Sequence, residues 1–248
     1  MLFQLLDNKK ECAAIYLNGQ FMEDVSFGTL SKTWDYTNSL KNNDIEYAKL
    51  YCGGKSLGEA CPQYLKTYWD SITSRFSAYM CSFREAKINL NDVCLYDLMP
   101  EGFLLEYCEI RNRIAEHVFE NHEKPENYEL LLGLTVLVDK IQRRPLNLNT
   151  GFLSKNMVDI KARRLFKKAR EIDPKIKYNI FGSKTGRLTT EKNSFPIHTL
   201  GKSLRSVLKP NNDWFVELDF NAAELRTFLA LADVAQPQED IHEWIGKN

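Results

Sequence analysis

This chain has no close-set pair of cysteines, no long apolar run, no net charge and no internal repeat, and each absence removes a class of protein. Its six cysteines (Cys12, Cys52, Cys61, Cys81, Cys94 and Cys108) are scattered, with no C-x-x-C pair and no histidine at ligand spacing. A structural zinc site needs clustered nitrogen and sulfur ligands, so these thiols are expected to be reduced, half-buried small hydrophobes. No run of about eighteen apolar residues is present, which leaves no helical membrane span. The opening residues Met1-Leu2-Phe3-Gln4-Leu5-Leu6-Asp7 have no basic region ahead of their short apolar stretch. They do not read as a secretory signal, and the chain is expected to be cytoplasmic. With no low-complexity tract and 44% hydrophobic residues over 248 positions, there is enough apolar material for a sizeable core.

Zero net charge, from 33 basic and 33 acidic residues, conceals a partition. Between Lys140 and Lys209 stand 18 lysines and arginines against only Asp159, Glu171, Asp173 and Glu191, a local net of +14. The rest of the chain carries the balancing −14. A basic block of this extent is the electrostatic footprint of a phosphate-backbone partner.

Periodicity and turn signals predict a mixed α/β chain. Cys12–Leu17 and Phe21–Val25 flank Asn18-Gly19, the residue pair preferred in a two-residue hairpin turn. Ile45–Cys52 alternates and stops at Gly53-Gly54, the pattern of another strand. A helical stretch is predicted from about Leu57 to Ala86 with a break at Pro62. Phe103, Tyr107, Ile110, Ile114 and Val118 then recur at helical spacing, and a further helix is predicted over Glu126–Gln142. A helix near Asn156–Ile172 places Val158, Ala162, Leu165, Ala169 and Ile172 on one side. Lys161, Arg163, Arg164, Lys167, Lys168 and Arg170 fall on the other. One face can pack while the other meets phosphate. Beyond it are predicted a short strand Tyr178–Phe181, a polar loop from Gly182 to Pro196, a short helix Leu200–Leu208, a strand Trp214–Leu218 and a helix Asn221–Ala232.

The chemistry is concentrated in Val216-Glu217-Leu218-Asp219-Phe220-Asn221-Ala222-Ala223-Glu224-Leu225-Arg226. An apolar strand is expected to deliver Asp219 at its tip, with Glu224 in the apolar face of the helix that follows. Taken alone, Asp219 reads first as a helix N-cap. Its companions change that balance: Thr185-Gly186-Arg187-Leu188 upstream and Asp240-Ile241-His242 downstream.

In this order and spacing the blocks resemble the family A DNA polymerases, the DNA polymerase I type of bacteria and many phages. The match covers about residues 178–245: T-G-R-L, a polar loop ending in a proline, a basic helix, D-F-x-x-x-E-L-R, and D-I-H. The resemblance implies that Asp219 binds divalent metal, with Mg²⁺ as cofactor, and that the backbone carbonyl of Phe220 also touches it. A hard cation that must bridge triphosphate and protein calls for oxygen ligands. It further implies that Glu224 closes the sugar pocket against a 2′-hydroxyl and that His242 lies near the phosphates of an incoming deoxynucleoside triphosphate. Asp219, Glu224 and His242 are thus the expected catalytic set. Arg187 corresponds to the arginine that reaches the primer terminus through the minor groove, where a sequence-blind enzyme can use acceptors common to all base pairs. Asn193-Ser194-Phe195-Pro196 aligns with the family's Q-N-I-P element, making Asn193 a candidate minor-groove contact. Lys184, Lys202 and Arg205, with Arg163, Arg164, Lys167 and Lys168 of the basic helix, are candidate phosphate contacts to primer–template DNA.

The family's second catalytic carboxylate, on an H-D-E hairpin, and its fingers helix with Arg, Lys and an aromatic do not occur in this sequence. The expected fold is therefore mixed α and β: a small N-terminal α/β module over 1–125, a basic helical thumb-like region over 126–177 and the first half of a polymerase palm over 178–248. The N-terminal module contains Asp44-Ile45-Glu46, with the D-x-E spacing of a 3′–5′ exonuclease's first motif. It lacks a partner motif, as in a degenerate exonuclease-like module or an unrelated small fold. The expected function is the N-terminal portion or subunit of a template-directed DNA polymerase, active only with a complementary chain that carries the fingers and second carboxylate. Localisation would be cytoplasmic, in the host if phage-encoded. The alternative is a non-catalytic, polymerase-derived DNA-binding accessory protein.

Overall fold

The computed structural model describes residues 1–7, 12–22, 29–90, 92–170, 174–192, 194–238 and 240–247. They fold as mixed α/β, 49% helix and 10% strand, so helices carry most of the packing. Two compact units are present, Met1–Val207 and Leu208–Asn248.

The first unit is built on a small sheet. Strands β1 (Gln4–Asp7), β2 (Cys12–Leu17) and β3 (Gln20–Met22) form an antiparallel meander. The predicted Asn-Gly hairpin is present: Leu17 pairs with Gln20, and both turn residues take positive φ, Asn18 at 50° and Gly19 at 85°. Positive φ at both central positions gives the turn whose twist matches the flanking strands. Strands β4 (Lys32–Thr33) and β5 (Glu46–Tyr47) run parallel to each other. Leu2 bridges Lys32 in parallel and Phe3 N–H donates to Lys32 O at 3.0 Å. These contacts join the three-stranded sheet β1-β2-β3 to the two-stranded sheet β4-β5 just ahead of β1. The chain here is enclosed on both faces, and Phe3, Gln4, Leu5 and Leu6 are all buried.

Alternation along these strands divides the core into two layers. Leu6, Tyr16 and Trp34 pack with Ile72 and Phe83 of α3 (Lys66–Glu85) and with Phe103, Ile110, Ile114 and Val118 of α4 (Glu101–Asn121). On the other side, Phe3, Leu5, Ile15, Leu17 and Tyr47 pack with Tyr128 of α5 (Tyr128–Gln142). The predicted stripe of α4 is thus core, with Tyr107 half-buried beside it. Polar links tie the sheet to a helix on each side: Gln4 Nε2 donates to Asn112 Oδ1 of α4 at 2.8 Å, and the buried Tyr47 N–H donates to the Tyr128 hydroxyl of α5 at 2.9 Å.

The predicted strand Ile45–Cys52 needs correction. Only Glu46–Tyr47 is strand, and the chain then turns into the short helix α1 (Ala48–Tyr51). Gly54 N–H donates to Lys49 O at 2.8 Å and Gly53 N–H to Leu50 O at 3.4 Å, with Gly53 at φ +64°. This is a helix end closed by a left-handed glycine, so Gly53-Gly54 marks a helix terminus where alternation suggested a strand end. The expected break at Pro62 is real: α2 (Leu57–Ala60) stops at Cys61, and α3 begins after a 3-10 turn, Gln63–Leu65. Asp44-Ile45-Glu46 is part of the sheet's framework. Ile45 is buried, and Glu46 meets Lys124 at 3.5 Å and Lys32 at 3.8 Å.

The basic segment continues the same unit. Helices α6 (Thr150–Lys155) and α7 (Ile160–Ala169) pack through buried Leu153, Ala162, Leu165 and Ala169. Val158, predicted for this packed face, is 95% exposed. The helix begins only after Asp159, whose Oδ1 accepts from Lys161 N–H at 2.7 Å, leaving Val158 outside the periodic face. Ile172 lies outside the described residues. Cys52, Cys61, Cys81, Cys94 and Cys108 are free thiols, and burial pushes that of Cys108 up to about 12. Among the described residues no helix is long and apolar enough to cross a membrane.

Gly54, at φ +78°, lies against the ring of Phe181, and a methyl group there would overlap that ring, whereas Gly53 faces open space. Gly53→Ala is expected to cost about 1 kcal/mol, from left-handed strain alone, and Gly54→Ala clearly more; urea unfolding of the two variants measures the difference. Burial also raises Tyr96 and Tyr128 from about 10 to about 12, so their neutral forms support the fold. That stability is fully present below about pH 10 and is lost as pH rises towards 12. Urea midpoints at pH 9 and pH 11 should show a fall that is smaller in Tyr96→Phe.

Candidate functional site

The candidate residues fall into two groups, one in each unit. In the first unit, β6 (Tyr178–Asn179) pairs antiparallel with β7 (Thr189–Thr190), so the predicted strand is real but shorter than expected. The loop between them carries Thr185-Gly186-Arg187-Leu188. Gly186 takes φ +72°, and the Ser183 hydroxyl donates to Arg187 O at 2.8 Å, bending the loop around the arginine. Gly182 lets this loop pass close to Thr189, where a Cβ would collide with its side chain. Lys184 and Arg187 are both exposed on the hairpin tip.

Asn193 lies outside the described residues. Its neighbours anchor the backbone: Ser194 and Phe195 are each 3% exposed. The Ser194 hydroxyl accepts from Lys177 N–H at 2.9 Å, and Phe195 N–H donates to Lys175 O at 3.0 Å. Lys168 is half-buried and donates through Nζ to Ser194 O at 3.1 Å, so it ties α7 to this segment. Arg163, Arg164 and Lys167 remain exposed on the outer face of α7.

Lys202 and Arg205 project from the predicted short helix, which is a 3-10 helix over Lys202–Val207. Its Leu204 and Val207 are buried, and Val207 O accepts from Asn149 N–H at 2.6 Å, at the N-cap of α6. Helix α6 packs against both α7 and the 3-10 helix, while Arg163, Arg164, Lys167, Lys202 and Arg205 are exposed. That arrangement can follow a polyanionic backbone without reading sequence.

In the second unit, residues 214–220 run without helix or strand pairing, so the predicted strand Trp214–Leu218 is not formed. A strand exists only where a neighbour takes its backbone groups, and among the described residues none pairs with this segment. Asp219 is exposed, Phe220 is 85% exposed and Leu218 90%. The helix follows as α8 (Ala223–Leu231), entered through Ala222 at φ +49°. Glu224 is in its first turn and is exposed, not buried in an apolar face as expected, since that face is itself uncovered: Phe228 is 69% and Leu231 83% exposed.

Sequence reasoning treated Arg226 only as part of the motif. It is the clamp of this unit, donating through Nε to Asn221 O at 3.0 Å and through Nη1 to Pro237 O at 2.8 Å. Its own carbonyl accepts from Gln236 Nε2 at 3.0 Å. The signal was available in Pro237, flanked by Gln236 and Gln238 after α8, since a proline cannot continue a helix.

Asp240 opens α9 (Ile241–Lys247), its Oδ1 accepting from His242 N–H at 2.8 Å and Glu243 N–H at 3.3 Å. The aspartate of D-I-H is therefore a helix cap, and His242 is exposed in the first turn. Among the described residues no three His, Cys, Asp or Glu side chains gather closely enough to hold a metal ion. What the 214–220 segment offers a cation is a pair of exposed carboxylates, Glu217 and Asp219, two residues apart. That donor set fits one side of a divalent ion and not a closed site.

Compared with protein families, curated proteins and solved structures, the chain has no match.

Proposed function

We propose that this chain is the N-terminal portion of a family A-type DNA polymerase, which extends a primer when a complementary polypeptide supplies the fingers and the second catalytic carboxylate. The observation that carries this reading is the presence, in the family's order, of two surfaces left open by the fold. One is cationic: Arg187 and Lys184 on a hairpin tip, together with the exposed cations of α7 and the 3-10 helix. The other is a solvent-exposed Asp219 on a segment that pairs with no strand among the described residues.

The chemistry follows from these residues. Arg163, Arg164 and Lys167 hold the duplex by its phosphates, with Lys202 and Arg205 adding to the same field. Arg187 contacts the minor-groove acceptors that every base pair shares. Asp219 and the carbonyl of Phe220 would hold Mg²⁺, which when bound polarises the α-phosphate and offsets charge on the leaving pyrophosphate. Glu224, in the helix that follows, closes the sugar pocket against a 2′-hydroxyl, and His242 meets the triphosphate. In-line transfer with two metals requires more carboxylate ligands than Asp219 provides, which is why the reading calls for a complement.

The test has two parts. The purified chain should bind primer–template duplex with a steep salt dependence. Replacing Arg163, Arg164 and Lys167 by Gln should lower the slope of log K against log salt by roughly one for each phosphate contact removed. Together with a family A fragment bearing the fingers helix and an H-D-E motif, the chain should extend a primer. Asp219→Ala should abolish extension and leave duplex binding unchanged. Duplex binding without extension alongside any such complement would instead identify a DNA-binding accessory, and extension surviving Asp219→Ala would remove the metal assignment.

A further inference from the structure

Helix α5 packs through one face and leaves a second apolar face uncovered. Tyr128, Leu131 and Leu132 join the second core layer, and Thr135, Val138 and Asp139 line a cleft beside it. On the outer side Leu130 is 62% and Leu137 50% exposed, and Leu134 and Ile141 of the same side are half-buried. These residues recur at spacings of four, three and four, the period of the seam between two paired helices. Solvated helix faces are ordinarily polar, so a continuous stripe of leucine and isoleucine marks a contact surface.

Two further features of this face say what covers it. Gly133 stands at mid-helix beside the stripe, where it weakens the helix. A Cβ there would meet nothing within 4 Å, so no packing among the described residues requires glycine. Its missing side chain lets a second backbone come close. The charge beside the stripe is polarised along the helix. Glu126 and Glu129 stand at its N-terminal end, Lys140 and Arg144 at its C-terminal end, and all are exposed. At about 3.6 residues per turn, Glu129, Gly133 and Lys140 fall along one flank of the stripe. Glu129 meets Lys124 at 3.6 Å, yet its side chain is 80% exposed and open to a second cation.

Self-complementarity selects the partner. A two-fold axis that pairs α5 antiparallel with a second α5 sets Leu130 opposite Ile141 and Leu134 opposite Leu137. The same axis brings Glu129 of one copy beside Lys140 of the other, and Glu126 beside Arg144. A parallel pair would instead oppose Glu129 to Glu129 and Lys140 to Lys140, placing like charges in contact.

We propose that this chain self-associates through α5, two copies pairing antiparallel along the seam of Leu130, Leu134, Leu137 and Ile141. The seam is short, so the dimer is weak and its population follows concentration. The inference neither uses nor depends on the reading that the chain engages DNA.

Sedimentation equilibrium of the purified chain, from about 5 µM to about 500 µM, tests it. The weight-average mass should rise towards twice that of one chain, with a dissociation constant on the order of 50 µM. Leu130→Glu and Leu137→Glu, both at exposed positions, should each weaken the dimer at least about tenfold and leave the urea midpoint of the dilute monomer unchanged. Glu129→Lys should weaken it about threefold or more through new like-charge contacts, and so should Lys140→Glu. The double variant Glu129→Lys/Lys140→Glu exchanges the two charges and should restore the original association. A chain that stays monomeric to the top of the concentration range would overturn the proposal. A dimer that survives Leu130→Glu and Leu137→Glu would place the contact on another surface, such as the uncovered face of α8, and overturn it too. Failure of the double variant to regain association would remove the antiparallel pairing and the proposal with it.

Discussion

The contact between Gly54 and the ring of Phe181 is the constraint on which the first unit's surfaces depend. Gly54 completes the left-handed end of α1, and the same lack of a side chain opens the space that the ring fills. Helix α1 lies against both α4 and α5, so its end is fixed by the core on either side. Phe181 packs against the core cluster to which Leu50 and Tyr128 belong. Since the ring belongs to the hairpin that bears Arg187, one pair of residues transmits the position of the sheet to the basic surface. Interiors are close-packed, so a ring seated against backbone has little freedom to shift. The cationic hairpin is therefore placed by apolar packing beneath it, and its charges can stay solvated until a polyanion arrives.

Local features were the legible part of the sequence. Asn18-Gly19 specifies its turn through backbone geometry that few other residue pairs adopt, and the stripe on α4 is long enough for its period to be unambiguous. The basic face of α7 was legible for the same reason, although its start was not. Asp159 satisfies the first amides of the helix and thereby excludes Val158, which the period alone would include. Ile45–Cys52 misled because a short buried helix and a short buried strand both present runs of apolar residues. What distinguishes them here is the hydrogen bonding of Gly53 and Gly54, which has no signature in alternation.

The site was legible as a set of residue types and only partly as a geometry. Arg187 and Lys184 are exposed on a hairpin, as a minor-groove and phosphate contact would have to be. Lys168 reads as one more cation of the basic helix, yet it is bonded to the carbonyl of Ser194, a contact 26 residues away that no periodicity encodes. Asp240 looks like a member of the catalytic block and acts locally as the cap of α9. Both cases have one physical basis: charged side chains serve capping and tethering as readily as ligand binding, and sequence alone does not show the bonded partner.

The stretch 214–220 follows the opposite logic, since its sequence is well formed and its structure is not. Trp214, Val216, Leu218 and Phe220 occupy one parity, and Phe215, Glu217 and Asp219 the other. A strand with that pattern has one apolar face and one acidic face, and it gains from folding only when neighbours accept its backbone groups and cover the apolar side. Without them the aromatic and aliphatic side chains stay in water, each forgoing about 1.5–3 kcal/mol of burial. The same period that would bury Leu218 and Phe220 turns Glu217 and Asp219 to the opposite face together. On the proposed reading, covering the apolar side and presenting the metal carboxylate are then a single event. Assembly with a complement would be driven by hydrophobic burial and would deliver the first ligand of the active site as its geometric consequence.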